Sequence, residues 1–292
     1  MSDHTTSAPV GAAGRFTFPG SQISVHRMGY GAMQLAGPHV FGPARDPDEA
    51  RAVLREAVAA GIDHIDTSDF YGPHVTNHLI REALHPYAAS LTLVTKIGAW
   101  RDDKGGWILD RSPDFLRRSV QDNLTRLGLD QMAVVNLRMS GPEDDVTAPM
   151  QVMRQMQDEG LLAHIGISTV TAAQLRAARD VAPIVTVQNH YNLVHRTDDA
   201  MIDALAEDGI SYVPYFPLGG FSPIQSAELL AVATALGRSP QQVALAWLLQ
   251  RSPNILLIPG TSSRGHLRDN LAAEHLVLPP EHLATLNALA TA

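Results

Sequence analysis

Short apolar segments of this 292-residue chain end repeatedly in side chains that can do chemistry. An acid, a lysine, an arginine, amides, hydroxyls and tyrosines stand where more Val or Ile would serve a purely structural role. They are Asp66, followed by Tyr71, and then Lys96, Arg138, Ser168, Gln188 with Asn189, Tyr215, and Gly260-Thr261-Ser262. Groups of these types move protons and bind polar ligands when they converge on one site. The set therefore favours an enzyme.

Lysine is rare in this chain: of its 22 basic residues only Lys96 and Lys104 are lysines. A lysine at the end of an apolar strand, in a chain that otherwise uses arginine, suggests a chemical role for Lys96. Chance retention of a single lysine is the alternative, and composition alone does not separate the two.

The elements that must bring these residues together are predicted from two alternating patterns. Apolar, β-branched runs predict eight buried strands, at 28–34, 63–68, 91–97, 132–138, 164–169, 184–191, 211–216 and 255–261. Periodicity and start signals predict helices at 47–60, 112–127, 171–181, 226–237, 239–251 and 280–290. Strands and helices that alternate over about 250 residues are typical of a (β/α)8 barrel, whose active site lies where the strands end.

The whole chain is predicted to form one domain. Residues 15–27 alternate around a Pro19-Gly20 turn, which predicts a short β-hairpin before the barrel. Residues 1–14 are interpreted as a ragged terminus and 15–292 as a single barrel domain, since no linker interrupts them. A doubly wound nucleotide-binding sheet is the competing architecture, but the segment 29–34 (GYGAMQ) lacks the third glycine of its fingerprint.

Composition excludes several classes of function. The absence of cysteine rules out a disulfide scaffold, thiolate catalysis and cysteine-based metal sites. A net charge of −8 argues against nucleic-acid binding, and no apolar run approaches the about 20 residues that cross a bilayer. Residues 1–14 have no signal-peptide features, so we expect a cytoplasmic protein. His74 and His78 have helical metal spacing without a third ligand, so no metal site is expected.

The segment 64–72 (HIDTSDFYG), taken with 94–97 (VTKI), closely resembles the aldo-keto reductase superfamily. The family signature is an Asp-Thr-Ala-type strand end, a Tyr five residues later and a Lys that ends the next strand. The resemblance runs from about Phe16 to Leu286. Within the family, the stretches 68–74, 135–138 and 216–221 are most similar to the bacterial pyridoxal reductase branch.

The resemblance implies carbonyl reduction, with a hydride from NADPH and a proton from Tyr71; NADH is the less favoured cofactor. A free phenol has a pKa near ~10, so Tyr71 needs help to work near neutral pH. The Lys96 ammonium favours the phenolate and lowers that pKa, while Asp66 orients Lys96. In the alternative, Asp66 and Lys96 are only a buried ion pair and Tyr71 is an ordinary aromatic at the rim.

Two positions depart from the family pattern. Arg138 replaces the usual His at the end of the fourth strand, and its guanidinium is always charged. We expect Arg138 to steady the developing oxyanion and lower the Tyr71 pKa, or to grip an anionic substituent such as the ring phenolate of pyridoxal. A structural arginine paired at the rim is the alternative. Thr169 replaces the usual Asn after Ser168, so the nicotinamide carboxamide is expected to be held less firmly.

The cofactor site of the family corresponds here to the strand ends and the last loop. The implied cofactor residues are Gly31, Met33, Ser168, Thr169, Gln188, Tyr215, Leu218, Gly220, Gly260, Thr261, Ser262, Arg264, His266 and Asn270. Tyr215 is expected to stack on the nicotinamide, with a core aromatic as the alternative. Arg264, with His266 or Arg268, is expected to bind the 2′-phosphate at a helix start, with a solvated helix start as the alternative. Gly260 takes the place of the family's phosphate-binding Lys, which weakens the expected preference for NADPH.

The loops 98–111 and 217–223 are expected to set substrate choice at the barrel mouth. His74, Trp100, Trp107 and Phe221 are predicted to line a flat, partly aromatic pocket. The first expectation is a pyridoxal reductase that acts on a small carbonyl compound as a monomer or weak homo-oligomer. A related oxidoreductase acting on a ketone, imine or sugar of secondary metabolism is the second, and a cofactor-sensing subunit without turnover is the third.

Overall fold

A computed structural model describes residues 10–220 and 222–289. The predictions for residues 1–9, for Phe221 and for 290–292 lie outside the described residues. At the centre is a curved sheet of seven parallel strands. In chain order these strands are β3 (Tyr30–Gly31), β4 (His64–Asp66), β5 (Thr92–Ile97), β8 (Met132–Arg138), β9 (Leu162–Ser168), β10 (Ile184–Gln188) and β11 (Ser211–Tyr212).

The segment 255–260 closes this sheet into a barrel through parallel bridges to both edge strands. The bridges are Tyr212–Ile255 on one side, and Met28–Leu257 and Gly31–Gly260 on the other. The predicted barrel is therefore confirmed, although its last strand is held by single bridges rather than a continuous ladder. The first predicted strand, 28–34, is shorter than expected, because Ala32–Leu35 forms a 3-10 helix.

Ten α-helices are described, and most of them pack around the barrel. They are α1 (Pro47–Ala59), α2 (Val75–Leu84), α3 (Pro113–Leu127), α4 (Thr147–Asp158), α5 (Ala172–Val181), α6 (Asp199–Glu207), α7 (Ala227–Leu236), α8 (Pro240–Arg251), α9 (Arg264–Ala272) and α10 (Pro280–Asn287). Three predicted start signals act as N-caps: Asp46, Thr171 and Ser239 each accept a hydrogen bond from a main-chain N–H of the first turn. Among the described residues, no helix is both long and apolar enough to span a membrane.

Helices α2, α4 and α6 were not predicted, and they share one property. Their N-cap residues, His74, Val146 and Asp198, make no side-chain hydrogen bond to the first turn. At the start of α4 a neighbouring side chain does the capping, because Asp145 accepts from the N–H groups of Thr147 and Ala148 at 2.9 and 3.4 Å. The start of α2 matters for the site, because α2 follows directly on the loop that carries Tyr71.

Strand alternation decides which side chains enter the barrel. On β8, Val135 and Leu137 pack outward in the main apolar core, whereas Val134 belongs to a separate inner cluster. The predicted N-terminal hairpin is present as antiparallel β1 (Arg15–Thr17) and β2 (Ser24–His26). Phe18 and Val25 from this hairpin join the inner cluster, so the hairpin packs against the barrel interior.

The long loop 98–111 is itself a hairpin. It pairs β6 (Ala99–Arg101) with antiparallel β7 (Trp107–Leu109) directly after β5. Gly98 allows the chain to turn into this hairpin, because its φ is +102° and a Cβ there would lie 2.9 Å from the carbonyl oxygen of Arg138. The mouth hairpin, as we call 98–111, therefore starts beside the end of β8.

Candidate active site

Asp66 and Lys96 end neighbouring strands and form a buried ion pair. The Lys96 ammonium lies 2.5 Å from Oδ1 of Asp66, and 4% of each side chain is exposed. Lys96 also donates to the carbonyl of Thr67 at 3.0 Å. β4 and β5 run parallel in register, with Asp66 opposite Val94, so Lys96 lies two residues further along and reaches back to the carboxylate.

Tyr71 lies beside this pair, on the loop between β4 and α2. Its N–H donates to the carbonyl of Ser68 at 3.1 Å, which turns the chain back toward the barrel mouth. The ring is buried, and Lys96 Nζ lies 5.3 Å from its centre. The Lys96 ammonium acts on the phenol through its charge. The three sequence-predicted residues are therefore brought together at one point.

The direction of the Tyr71 pKa differs from the prediction. Burial raises the pKa of the phenol, and the nearby Asp66 carboxylate adds to this rise. Lys96 and Arg138 both lower the pKa, as expected, but they do not overcome burial. The net pKa therefore lies above the ordinary value, because desolvation penalises a phenolate more than the two cations favour it. Tyr71 is a protonated phenol at neutral pH, ready to donate.

Lys96 is held in its charged form. Burial by itself lowers the pKa of the ammonium, but the Asp66 carboxylate and Tyr71 raise it, and the net shift is upward. An ammonium has three protons to donate. Two of those of Lys96 have acceptors in Asp66 Oδ1 and the Thr67 carbonyl. The lysine is fixed in position by its own hydrogen bonds.

Arg138 ends β8 and is half-buried near the phenol. Its guanidinium carbon lies 5.6 Å from the ring centre of Trp107. Within residues 10–220 and 222–289 it forms no ion pair with a carboxylate. The alternative of a structural arginine paired at the rim therefore has no carboxylate partner to support it among the described residues.

Gln188 lies between the Asp66–Lys96 ion pair and the cleft. Its Nε2 donates to Asp66 Oδ2 at 2.9 Å, whereas its fully buried Oε1 has no partner among the described residues. Ser168 Oγ lies 3.4 Å from Thr169 Oγ1, and Thr169 has a φ of +60°. A neighbouring amide, Asn189, is occupied elsewhere, since it bonds both main-chain groups of Val170.

A cleft of about 280 Å³ opens above these residues. Ten of the predicted residues line this cleft: Gly31, Met33, Asp66, Tyr71, Lys96, Gln188, Tyr215, Leu218, Gly220 and Gly260. Pro217, from the predicted substrate loop, also lines it. Ile224, Pro240, Gln241 and Ala244 line it too, although no sequence signal pointed to them. They come from loops and helix starts whose positions depend on the closed barrel. Tyr215 lies parallel to His190, with ring centres 5.6 Å apart, so one face of its ring is backed by protein.

The predicted residues of the last loop lie outside this cleft. Thr261 and Asn270 are buried, Ser262 lines a separate cavity, and His266 is exposed at the start of α9. The Arg264 guanidinium pairs with Glu49 at 3.1 Å, and Arg268 pairs with Glu56 at 2.6 Å. The structure therefore shows both arginines engaged with acids of α1, which the sequence analysis did not anticipate.

The predicted substrate residues separate in the structure. His74 does not line the cleft; its Nδ1 lies 3.0 Å from Asp69, and its backbone is left-handed at φ +67°. Trp107 does not line the cleft either and is 45% exposed, but its ring lies 5.2 Å from that of Phe70. Trp100 is 42% exposed on the opposite strand of the mouth hairpin. No group of three His, Cys, Asp or Glu side chains among the described residues is arranged to hold a metal ion.

Comparisons of the sequence with known proteins agree with this geometry. A family model described as the aldo/keto reductase family matches residues 27–291. The chain is 61% identical over 279 residues to the pyridoxine 4-dehydrogenase of Escherichia coli K12, covering 94% of this chain and 98% of that protein. It is 36% identical over 288 residues to an uncharacterized oxidoreductase of Schizosaccharomyces pombe, covering 98% and 94% respectively.

Solved structures share the fold. A thermostable aldo-keto reductase in complex with the inhibitor epalrestat superposes with a TM-score of 0.81 at 26% identity, covering 94% of this chain and 99% of that one. An aldo-keto reductase from Bacillus halodurans superposes with a TM-score of 0.80 at 23% identity, covering 95% and 96%.

Proposed function

The chain belongs to the aldo/keto reductase family, and from that premise we propose that it reduces the aldehyde of pyridoxal to an alcohol with NADPH. The 61% identity to pyridoxine 4-dehydrogenase of Escherichia coli, over nearly the whole of both chains, supports this substrate. The balanced reaction converts pyridoxal, NADPH and one proton into pyridoxine and NADP⁺. We further propose that residues 15–292 act as one domain, in the cytoplasm, as a monomer or weak homo-oligomer.

One observation carries the proposal: a protonated phenol, Tyr71, lies in the cleft beside a lysine that is locked by its own hydrogen bonds. A carbonyl oxygen that gains negative charge needs a proton from a positioned acid. Tyr71 supplies it, and Lys96 stabilises the phenolate that remains. Asp66 keeps Lys96 charged and aimed, and it is itself oriented by Gln188.

The residues of the cleft fit a nicotinamide cofactor. Gln188 Oε1 is a buried acceptor without a partner in residues 10–220 and 222–289, and the amide N–H of a nicotinamide carboxamide is a donor of the type that it lacks. Ser168 lies opposite Gln188 on the neighbouring strand, and Tyr215 offers a flat ring along the cleft. The cofactor, when bound, supplies the hydride. The residues of this chain bind and orient it and keep water away from the reacting carbon.

Arg138 acts on the substrate side. A guanidinium near the phenol that forms no ion pair within the described part of the chain attracts the developing oxyanion, and its five donors also suit an anionic ring substituent. The phenolate oxygen of pyridoxal is such a group. Trp107, beside Arg138, adds an aromatic surface for a flat ring. Together these side chains favour a planar, anionic aldehyde over a small neutral one.

The proposal is tested by following NADPH oxidation with pyridoxal and with a panel of neutral aldehydes. Wild type is expected to turn over pyridoxal, and Tyr71→Phe is expected to lose about 10²–10⁴-fold in kcat while it still binds NADPH. Tyr87→Phe is the matched control, because its hydroxyl bonds the carbonyl of Leu127 on the outer layer. Turnover of other carbonyl compounds only would overturn the substrate, and tight NADPH binding with no turnover would overturn the enzymatic role.

A further inference from the structure

Arg101 has an unusual set of partners for a buried guanidinium. It ends β6 in the mouth hairpin, and only 7% of its surface is exposed. Its nitrogens donate to the carbonyls of Gly105, Val40 and His39, at distances between 2.7 and 3.2 Å. No carboxylate within residues 10–220 and 222–289 forms an ion pair with it. Through these hydrogen bonds the planar guanidinium of Arg101 connects the turn of the mouth hairpin to a second loop.

That second loop, 37–42, is held in an unfavourable backbone conformation. His39 and Val40 have φ angles of +57° and +61°, in the left-handed region. For a β-branched residue such as valine this region is strongly disfavoured, and it persists only where surrounding contacts enforce it. The conformation directs the Val40 carbonyl toward two donors at once: Arg101 Nη1 at 3.0 Å and the N–H of Gly72 at 3.2 Å.

Gly72 is the residue after Tyr71, so loop 37–42 is bonded directly to the chain that carries the phenol. The N–H of Gly42 also donates to the carbonyl of Gly72, at 2.7 Å. The side chain of Val40 is buried in one small apolar cluster with Phe70 and Tyr71. Main chain and side chain of the same strained loop therefore both contact the segment 70–72.

The Arg101 guanidinium also stacks on the aromatic wall of the substrate mouth. Its central carbon lies 4.2 Å from the ring centre of Trp107 and 5.4 Å from that of Phe41. Trp107 in turn contacts Phe70 edge to face, and Phe70 contacts Tyr71 in the same way at 5.3 Å. Two independent routes, one through hydrogen bonds and one through aromatic rings, run from Arg101 to Tyr71.

We propose that Arg101 is a positioning residue for Tyr71: by fixing loop 37–42 against the mouth hairpin, it sets the placement of the phenol relative to Lys96. The inference rests on the proposed function, in which Tyr71 is the proton donor. A lysine cannot replace the guanidinium, because its ammonium is a point charge and cannot donate hydrogen bonds to three carbonyls in one plane. Loss of the guanidinium lets Tyr71 move away from Lys96, and a displacement of about 1 Å can cost about 10²-fold in rate.

Arg27 is the matched control. Among the described residues its guanidinium likewise donates only to main-chain carbonyls, those of Ala13, Leu249, Ser252 and Ile255, at 2.6–3.2 Å. None of these four residues lines the cleft. Arg27→Lys and Arg101→Lys therefore make the same chemical change in two places, one remote from Tyr71 and one connected to it.

The experiment compares kcat, KM, NADPH Kd and the pH profile of kcat for wild type, Arg101→Lys, Arg101→Ala, Arg27→Lys and Tyr71→Phe. For both Arg101 variants we expect kcat to fall by about tenfold or more, while the Kd for NADPH stays within about twofold of the wild-type value. The alkaline limb of the profile is expected to move to higher pH, because Lys96 lowers the Tyr71 pKa less from further away. Guanidinium ion at millimolar concentration should partly restore kcat in Arg101→Ala only.

The outcomes separate this inference from the proposed function. If wild type turns over no carbonyl compound, or Tyr71→Phe is as active as wild type, the proposed function is wrong and the positioning role falls with it. If wild type and Tyr71→Phe behave as expected but Arg101→Lys matches Arg27→Lys in kcat and pH profile, the positioning role alone is overturned. A lower melting temperature shared by both variants, without a change of profile, counts as that second result.

Discussion

The carboxylate of Glu49, on α1, accepts hydrogen bonds from both the main-chain N–H and the guanidinium Nε of Arg264, at 3.1–3.2 Å. Arg264 is the first residue of α9, and a helix start of this kind attracts anions. Glu49 therefore lies where the proposed cofactor is expected to place its 2′-phosphate, and it competes for the same donors.

Glu49→Gln is expected to strengthen NADP⁺ binding. The substitution removes a negative charge beside the expected phosphate position and frees Arg264 to pair with the ligand. Exposed ion pairs are worth up to about 1 kcal/mol, so Kd should fall about two- to fivefold, while the Kd of NAD⁺ changes little. Calorimetry or fluorescence titration measures both. Glu82→Gln, which breaks an exposed pair with Arg51, is the control; equal effects on NADP⁺ and NAD⁺ would contradict the prediction.

Removal of one partner of the Asp66–Lys96 pair is expected to be costly for stability as well as for activity. Lys96→Met leaves a buried carboxylate without its ammonium, and such changes cost about 3–5 kcal/mol in the free energy of unfolding. The double variant Asp66→Asn/Lys96→Met should lose less than the sum of the two single variants. Urea unfolding measures this. Arg117→Met, which breaks the exposed pair with Glu159, should cost no more than about 1 kcal/mol.

Arg138→Met is expected to change both the rate and its pH dependence. Arg138 lowers the Tyr71 pKa, so its loss raises that pKa further. Reduction needs the protonated phenol, and the alkaline limb of kcat/KM should therefore move to higher pH. Loss of one donor to a developing oxyanion costs about 10²-fold or more in kcat.

A panel of aldehydes separates the two roles of Arg138. If Arg138→Met reduces neutral aldehydes as fast as wild type and only the KM for pyridoxal rises, the arginine grips the substrate and takes no part in the proton transfer. Arg118→Met is the control, because Arg118 packs on Phe115 on the outer helix α3.

Stability is expected to fall in mild acid because of a buried imidazole. Burial lowers the pKa of His64, and the Lys96 charge acts in the same direction against the opposing effect of Asp66 and Asp63. Below the ordinary value of about 6.5, the unfolded chain binds a proton that the folded protein does not, so the free energy of unfolding decreases as pH falls. One such histidine contributes at most about 1.4 kcal/mol per pH unit.

His64→Gln should flatten this pH dependence, measured by urea unfolding between neutral and mildly acidic pH. His78→Gln, which changes an exposed histidine on α2, should leave the slope unchanged. An unchanged slope in His64→Gln would assign the acid sensitivity to other groups, such as His164 and His190, whose pKa values burial also lowers.

Much of the fold was readable from local patterns. Runs of β-branched residues marked the strands, since a strand buried on both faces has few polar positions, and the caps at Asp46, Thr171 and Ser239 marked helix starts. Helices α2, α4 and α6 were not predicted. The N-cap residues of α2 and α6 make no side-chain hydrogen bond to the first turn, whereas Asp145 accepts from the N–H of Thr147 at the start of α4.

The candidate site shows the same division. Asp66 and Lys96 were predictable as partners because residues at the ends of parallel neighbouring strands meet. The ion pair between Arg264 and Glu49 was not predictable, since the two residues are 215 positions apart and come into contact only when α1 packs beside α9. The same holds for His74, which turns toward Asp69 rather than the cleft.

The order of residue types along the chain was enough to determine the barrel and the identity of the groups at its mouth, because strand alternation and strand-end chemistry are local properties. Folding in three dimensions decided the protonation of Tyr71 and the contacts of Arg101. The protonation of Tyr71 depends on how much water is excluded from the phenol, and the contacts of Arg101 depend on which distant carbonyls come within reach. Neither can be predicted from the spacing of residues along the chain.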